Sequence, residues 1–259
     1  MNYKEYGKEN KEVIILLHGG GLSWWNYREA AEKLSSDYRV ILPILDGHAK
    51  SGSDFTSIEE NAARIIRFID EQFGGSVLLI GGLSLGGQIA LEILSQKKDV
   101  CRYALIESTL VIPSGFTYAM IKPVFGACYG LIKHRWFAKL QFRSLHIKQE
   151  LFDEYFQDTC GISKSNMIAF LEANASYCLK PSIADCTAKS YLFVGGKENG
   201  AIRKSAKKIA EALPESTQRV LPNMYHGEFS INHAHNYANT VRQIIKNGSV
   251  PFCQEGEKS

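Results

Sequence analysis

Cysteines are few in this chain, and none of them is spaced like a metal ligand. No Cys-x-x-Cys pair occurs, and no His and Cys residues follow the spacing of a zinc site. Reduced thiols are therefore the expected state of the six cysteines, which are Cys101, Cys128, Cys160, Cys178, Cys186 and Cys253.

The chain also lacks a long uninterrupted apolar run. Its most apolar tract, residues 109–132, has the length to span a bilayer, but two prolines, three glycines and Lys122 interrupt it. Stable membrane insertion is therefore not expected. The N-terminal stretch MNYKEYGKENKE is polar and has neither the apolar segment nor the cleavage site of a signal peptide, so a cytoplasmic location is expected.

Strong charge of one sign is absent as well, since the net charge is only +3 in 259 residues. That balance gives no reason to expect nucleic acid as a partner. A chain of this length can bury a substantial core, so we expect one α/β domain, with or without an inserted subdomain. The sequence does not indicate an oligomeric state.

Short apolar runs alternate with helical patterns along most of the chain, which is typical of βαβ units around a parallel sheet. The predicted strands cover residues 13–19, 38–45, 76–82, 102–108, 190–196 and 217–223, and the predicted helices cover 23–37, 58–73, 85–96, 201–214 and 233–248. Between them, amphipathic helical pieces rich in aromatics interrupt the alternation. We therefore predict a core of 1–109 and 186–259 with an inserted helical cap of 110–185. The tail, 249–259, has no periodicity and is expected to be loose.

A single serine lies in the glycine-rich stretch GGLSLGG, residues 81–87, directly after an apolar run. Gly82 to Gly86 matches G-x-S-x-G, with a predicted strand before it and a predicted helix after it. A turn this sharp strains the backbone of its serine, and glycines beside it avoid clashes. Chance gives roughly 0.16 such matches in a chain of this composition, so the flanking elements are what favour a nucleophile over an ordinary turn. We predict that Ser84 is that nucleophile.

A second glycine-rich segment, HGGG at residues 18–21, closes the first strong strand. Small residues there can bring backbone N–H groups close to a reacting carbonyl. We predict that Gly20 and Leu85, the residue after Ser84, donate the two N–H groups of an oxyanion hole. A phosphate-binding turn is the weaker alternative, because no Lys-Ser or Lys-Thr follows and the spacing is not G-x-G-x-x-G. His18 is expected to support the loop rather than to act as a base.

A serine nucleophile needs a general base at the same edge of the sheet, where the parallel strands end. His226 follows the last predicted strand and meets this condition. The other histidines considered lie near the last helix or in the inserted segment: His233, His235, His134 and His146. The orienting acid should lie between Ser84 and His226 in the sequence, and Glu198 does so just beyond a strand. Glu107, at the end of an earlier strand, is the rival for that role.

These motifs resemble the α/β-hydrolase fold superfamily, in particular its capped esterase and lipase-like members. LLHGGG resembles the oxyanion loop, GGLSLGG the nucleophile elbow, VGGKENGAIRKSA the acid turn and PNMYHGE the histidine loop. DGHAKSG, residues 46–52, resembles the G-x-G-x-S loop, with Ala49 where a glycine is usual. The resemblance implies a mostly parallel, doubly wound sheet with an inserted helical cap, and it strengthens the assignment of Ser84, Glu198 and His226.

The chain departs from the family pattern in two places. Glu198 stands where aspartate is the common choice. The chain also starts close to the HGGG strand, so we expect the sheet to lack one or two of the first strands of the family.

The inserted segment carries no acidic residue between positions 109 and 149. Its charged residues there are Lys122, Lys133, Arg135, Lys139, Arg143 and Lys148, interleaved with Phe116, Tyr118, Phe125, Tyr129, Trp136, Phe137 and Phe142. One interpretation is a solvated basic face over aromatics that pack the helices. The other is an apolar acyl pocket with a cationic rim that favours anionic or amphiphilic esters.

Together the patterns predict a serine hydrolase that cleaves carboxylic esters with an apolar acyl group through an acyl-enzyme intermediate. His226 would take the proton from Ser84, water would hydrolyse the acyl-enzyme, and the chemistry needs no metal or cofactor. A serine nucleophile argues against dehalogenase or epoxide-hydrolase chemistry, which in this fold resembles an aspartate-dependent mechanism. The alternatives left open are an acyltransferase, thioesterase or amidase on the same residues, and a receptor-like hydrolase fold that binds its ligand with slow turnover.

Overall fold

One seven-stranded sheet runs through the part of the chain that the computed structural model describes, residues 1–248. Its strands are β1 (Tyr3–Tyr6), β2 (Val13–Leu17), β3 (Arg39–Pro43), β4 (Val77–Leu83), β5 (Cys101–Glu107), β6 (Lys189–Gly195) and β7 (Ser216–Leu221). They lie in the order β1-β3-β2-β4-β5-β6-β7. All neighbours are parallel except β1 and β3, which pair antiparallel. The predicted α/β class with a mostly parallel sheet is confirmed.

The strand β1 was not predicted from the sequence. Its four residues, Tyr-Lys-Glu-Tyr, are polar or aromatic and only partly covered, and they pair with one neighbour at the edge of the sheet. An edge strand with a solvent-exposed side tolerates such residues, so no apolar run marks it. One strand therefore precedes β2, and the expectation that the sheet lacks one or two of the first strands of the family stays a prediction.

Helices cover both faces of the sheet. Within residues 1–248 they are α1 (Arg28–Leu34), α2 (Ile58–Phe73), α3 (Leu85–Gln96), α4 (Gly115–Cys128), α5 (Arg135–Ser144), α6 (Phe152–Gly161), α7 (Lys164–Ser176), α8 (Gly200–Ala212), α9 (Glu228–Asn232) and α10 (Ala234–Asn247). Side chains of α2, α3 and α8 pack in the same core cluster as Ile15 and Leu17 of β2. Those of α1 and α10 pack with Ile14 and Leu16. Successive residues of β2 therefore face opposite layers, as a doubly wound sheet requires.

The first helix is shorter than predicted. In place of a helix over 23–37, a 3-10 turn at Trp24–Tyr27 precedes α1. The Asn26 side chain accepts a hydrogen bond from the Gly19 backbone N–H at 3.2 Å. This segment is therefore shaped by its contact with the HGGG loop, and sequence periodicity carries no signal of such a contact.

Between β5 and β6 the described chain forms α4 to α7 and short 3-10 turns, without a strand. α4 packs against α7, and α5 packs against α6. The division into a core and a cap of 110–185 stays a prediction. No helix of residues 1–248 combines the length and the apolar character that crossing a membrane requires. The prediction for the tail, 249–259, lies outside the described residues.

Candidate active site

Ser84 lies where β4 ends and α3 begins, at the strand-to-helix turn that the sequence predicted. Its backbone angles, φ 53° and ψ −112°, are rarely adopted by a residue that carries a side chain. The turn is very tight, because a Cβ on Gly82 would lie 2.2 Å from the Gly86 carbonyl oxygen and a Cβ on Gly86 would lie 2.1 Å from the Leu17 carbonyl oxygen. Only glycine fits at these two positions, which explains the sequence pattern physically.

The candidate base and acid are hydrogen-bonded to each other. His226 Nδ1 lies 2.8 Å from Glu198 Oε2, although the two residues are far apart in the sequence. The histidine side chain is 45% exposed and the glutamate side chain only 1% exposed. A buried carboxylate on Nδ1 fixes the ring so that Nε2 is free to accept a proton.

Glu198 is held by donors on its other oxygen as well. Its Oε1 accepts hydrogen bonds from the Gly195 N–H and the Ser108 hydroxyl, both at 2.7 Å. Burial by itself raises the pKa of this carboxyl, but the contacts with His226, Ser108 and Gly195 favour the charged form and bring the pKa below its usual value. Glu198 is therefore ionised at neutral pH.

Ser84 and His226 line one cavity of about 160 Å³. The other lining residues are mostly apolar or glycine: Gly19, Gly20, Leu22, Leu83, Leu145, Ile147 and Ile231. The structure thus brings the predicted nucleophile, the base and Gly20 together around a small apolar space. A hydroxyl, an imidazole and a buried carboxylate in this order are the groups that nucleophilic catalysis by serine needs.

Glu107 does not contact His226 by a hydrogen bond in the described structure. One of its oxygens accepts from the Ser230 backbone N–H at 3.2 Å, and the other is buried without a partner in residues 1–248. Burial raises the pKa of this carboxyl to about 7. The geometry therefore joins Glu198 to the histidine, whereas Glu107 is buried near Tyr27 and Tyr237 without a hydrogen bond to the ring.

The HGGG loop places one free amide beside Ser84. The Gly19 N–H donates to Asn26 Oδ1 at 3.2 Å, and the Gly21 N–H donates to His48 Nε2 at 3.0 Å. Of these loop glycines, only Gly20 has an N–H with no acceptor in residues 1–248. A Cβ on Gly20 would lie 3.4 Å from a side-chain atom of Leu85, so the two predicted oxyanion donors are neighbours.

Two buried histidines position this loop. His18 Nδ1 lies 2.9 Å from the Gly19 carbonyl oxygen, and its Nε2 accepts from the Leu45 N–H at 3.1 Å. His48 Nδ1 lies 3.1 Å from the Asp46 carbonyl oxygen. Burial lowers the pKa of His18 well below its usual value and that of His48 to about 4. Both rings are therefore neutral, and each donates one hydrogen bond and accepts another.

Sequence reasoning missed two side chains that support the site. Ser108, which bonds Glu198, follows β5 without any motif to mark it. His48 was noted only as part of the loop DGHAKSG, and its bond to Gly21 depends on a contact between two loops. A signal for His48 did exist in that loop motif, whereas we find none for Ser108.

We compared the chain with models of protein families and with known proteins. The model of the family described as "Alpha/beta hydrolase family" matches residues 14–240. Lipase 1 of Psychrobacter immobilis is 30% identical over 113 residues, which is 42% of this chain and 35% of that protein. Epoxide hydrolase 4 of Mus musculus is 28% identical over 130 residues, 47% of this chain and 34% of that protein. The matched segments thus span well under half the length of these two relatives.

Among solved structures, a thermophilic esterase from Thermogutta terrifontis superimposes with a TM-score of 0.78 at 17% sequence identity. The match covers 95% of this chain and 92% of the esterase. At such low identity the superposition supports the fold alone. Because the family model covers most of the chain, from within β2 to within α10, this protein belongs to the alpha/beta hydrolase family.

Proposed function

We propose that this protein is a serine hydrolase that cleaves carboxylic esters through an acyl-enzyme intermediate on Ser84. The observation that carries the proposal is the hydrogen bond from Glu198 to His226, which lines the same cavity as Ser84. A strained serine at the start of a helix, an oriented imidazole and a free loop amide are the parts that acyl transfer needs.

The acylation step follows from these positions. His226 Nε2 takes the hydroxyl proton while Ser84 Oγ forms a bond to the carbonyl carbon of the ester. The carbonyl oxygen becomes an anion, which the N–H groups of Gly20 and Leu85 stabilise. Glu198 stays ionised and stabilises the imidazolium that forms. The tetrahedral intermediate then collapses, and the imidazolium gives its proton to the leaving alcohol.

Deacylation repeats the sequence with water as the nucleophile. His226 takes a proton from water, the hydroxide adds to the acyl carbon, and Ser84 Oγ leaves with the proton that the imidazolium returns. The products are a carboxylic acid and the free enzyme. The cavity volume and its apolar lining by Leu22, Leu145 and Ile231 favour a small apolar acyl group.

The inserted segment 110–185 acts in this proposal as a cap over the cavity. Leu145 and Ile147, which follow α5 closely, line the cavity together with Leu83 of β4 and with Ser84. This contact gives the cap a direct part in choosing the acyl group, since these two side chains limit the space that an acyl chain can fill.

Two relatives point to different chemistries, lipase and epoxide hydrolase. The residue at the nucleophile position of this chain is a serine, whose hydroxyl can form an acyl ester, whereas the epoxide-hydrolase reaction in this fold resembles a mechanism that uses an aspartate. We therefore favour ester hydrolysis. Transfer of the acyl group to an acceptor other than water, and thioester or amide substrates, would use the same Ser84, Glu198 and His226.

The test is turnover of p-nitrophenyl esters of graded chain length by the wild type and by Ser84→Ala. We expect the short esters to be hydrolysed, activity to be lost in Ser84→Ala, and a fluorophosphonate probe to label the wild type only. Ser95→Ala, on the same helix α3, is the matched control and should keep both activity and labelling. Absence of turnover for every ester together with absence of labelling would reject the proposal. Turnover of an epoxide panel by Ser84→Ala would point to the other chemistry.

A further inference from the structure

Exposed large apolar side chains are concentrated in α4 and α5. In residues 1–248, six of the nine such side chains lie between positions 116 and 140: Phe116, Tyr118, Met120, Val124, Trp136 and Leu140. Phe116 is 81% exposed, Trp136 is 64% exposed and Leu140 is 61% exposed. Both helices pack against the short 3-10 turn at Tyr129–Lys133 that joins them. Single exposed apolar residues are ordinary, but six of them on two helices joined in this way indicate an interaction surface.

The helix geometry shows why these side chains are not simply part of the core. In α4 only Ile121 is buried, so nearly the whole of a very apolar helix faces outward. In α5 the buried residues are Ala138 and Phe142. Trp136 and Leu140 are each two positions away from a buried residue, about 200° around the helix, and so point to the opposite side.

Basic residues border this apolar surface. Between positions 109 and 149 the chain has six basic residues and no acidic one. Three of the six are paired with carboxylates from elsewhere: Lys122 with Glu172, Arg135 with Asp153, and Lys148 with Glu29. Lys133 lies over the ring of Tyr129. The cations of Lys139 and Arg143 on α5 have no carboxylate partner in residues 1–248.

Lys139 and Arg143 lie four positions apart on α5, next to the row formed by Trp136 and Leu140. Arg135, one turn earlier, is turned toward α6, where it pairs with Asp153 and lies over the ring of Phe152. An apolar row with a cationic row beside it is the pattern of a helix that lies in the plane of a membrane surface. Tryptophan at such a position favours the headgroup region. With 14 residues, α4 is too short to cross a bilayer, so contact along its side is the geometry available to it.

We propose that the exposed side chains of α4 and α5, named here the α4–α5 face, dock this protein on the surface of an anionic lipid membrane. A second copy of the chain fits the face less well, because two copies would bring unpaired Lys139 and Arg143 side chains together without carboxylates to neutralise them. α5 leads directly into Leu145, which lines the cavity with Ser84. Docking by this face therefore brings the cavity near the lipid, while the docking itself does not depend on the proposed hydrolysis.

The experiment is flotation of the full-length protein with vesicles of phosphatidylcholine alone and of phosphatidylcholine mixed with phosphatidylglycerol. We expect binding to the anionic vesicles, at least about tenfold stronger than to the neutral ones, and weaker binding as salt is raised. Tryptophan fluorescence should shift to shorter wavelength on binding, and the shift should disappear in Trp136→Phe. Ser84→Ala should bind like the wild type, so that a failure of catalysis and a failure of docking are read separately.

Two variants test the two halves of the face. Trp136→Ser with Leu140→Ser should lose binding to both vesicle types, and Lys139→Glu with Arg143→Glu should lose the preference for anionic vesicles. All four side chains are exposed, and an unchanged melting temperature checks the fold. Val220→Ser, an exposed apolar site on β7, is the matched control and should bind normally.

Equal binding to neutral and anionic vesicles, or full binding by the Trp136→Ser and Leu140→Ser variant, overturns the proposal. A dimer in light scattering that this variant dissociates, with no vesicle binding by the wild type, also overturns it and assigns the face to a second copy of the chain.

Discussion

Glu198 holds His226 through a 2.8 Å hydrogen bond to Nδ1, and the same carboxylate is held in turn by the Ser108 hydroxyl and the Gly195 amide. Three donors on one buried carboxylate leave little freedom for it to turn away. The position of the histidine ring is therefore set by a network that starts at the ends of β5 and β6. A glutamate is one methylene longer than aspartate, and at this position it reaches the ring with a hydrogen bond of ordinary length.

The first prediction compares the two glutamates. Glu198→Gln should lower kcat by about 10²- to 10⁴-fold, because an amide favours the wrong tautomer of His226 and cannot stabilise the imidazolium. Glu107→Gln should lower kcat by less than about tenfold, since that carboxyl has no hydrogen bond to the ring. Steady-state kinetics on one ester measures both. A larger loss for Glu107→Gln would transfer the role of the acid to Glu107.

The second prediction concerns stability and pH. Burial raises the pKa of Glu107 in the folded protein to about 7, above the usual range of a glutamate carboxyl. The folded state therefore holds this proton more tightly than the unfolded state does. The contribution of this proton to the free energy of unfolding is largest below the pKa of Glu107 in the unfolded state. It decreases as pH rises from that pKa to the pKa in the folded state, and it is lost above about pH 7.

Glu107→Gln removes this dependence while keeping the shape of the side chain. Relative to the wild type, its free energy of unfolding should rise between pH 5 and pH 8 by on the order of 3 kcal/mol. Urea denaturation at both pH values measures it. Glu71→Gln, at an exposed position of α2, should show no comparable change between the two. A difference of the same size at both pH values for Glu107→Gln would mean that this carboxyl does not titrate as described.

The third prediction concerns His48, whose Nε2 accepts from the Gly21 N–H. His48→Ala removes this acceptor and frees the loop that carries Gly20. We expect kcat to fall by at least about tenfold with little change in KM, because the loop amide acts on the transition state. The expected loss of kcat is smaller than for removal of an oxyanion donor, because His48→Ala displaces the Gly20 N–H but does not remove it.

Kinetics of His48→Ala and of His48→Gln separate positioning from simple packing. Glutamine offers a side-chain oxygen as an acceptor, so it should restore part of kcat, whereas a merely structural role would change the melting temperature and leave kcat of the folded fraction unaltered. His235→Ala, at an exposed histidine, is the control and should match the wild type. A loss confined to KM would contradict the positioning role.

Some elements of the fold and of the candidate site could be predicted from the sequence, and others could not. The buried strands β2 and β4 carry continuous apolar runs, so their place in a parallel sheet was predictable. The nucleophile turn was predictable because steric crowding leaves glycine as the only fit at Gly82 and Gly86. Local periodicity and crowding both leave a trace in the sequence.

Contacts between distant segments leave no such trace. The edge strand β1 has no apolar pattern of its own, and it is a strand because its backbone pairs with β3. The choice between Glu198 and Glu107 rests on which carboxylate reaches His226, a distance that depends on the loops after β6 and β7. The outward direction of Trp136 likewise depends on which side of α5 packs on α6.

The last prediction tests the strain at Ser84 through stability alone. Its φ of 53° and ψ of −112° cost about 1–3 kcal/mol for a residue with a Cβ. Glycine relieves that cost but makes the unfolded chain more flexible, which lowers the free energy of unfolding by about 0.4–1 kcal/mol. Ser84→Gly should therefore be more stable than Ser84→Ala by about 0.5–2 kcal/mol, a rise of a few degrees in melting temperature.

Both substitutions remove the hydroxyl, so their comparison isolates the backbone. At Ser95, inside α3, the same pair should show the opposite order, with glycine less stable than alanine by about 1 kcal/mol, because a helix interior disfavours glycine. Calorimetry of the four variants gives both differences. If alanine were the more stable residue at both positions, the turn at Ser84 would not be strained. Because the strained turn costs stability, the proposed function accounts for it by the position that the turn gives the Ser84 hydroxyl.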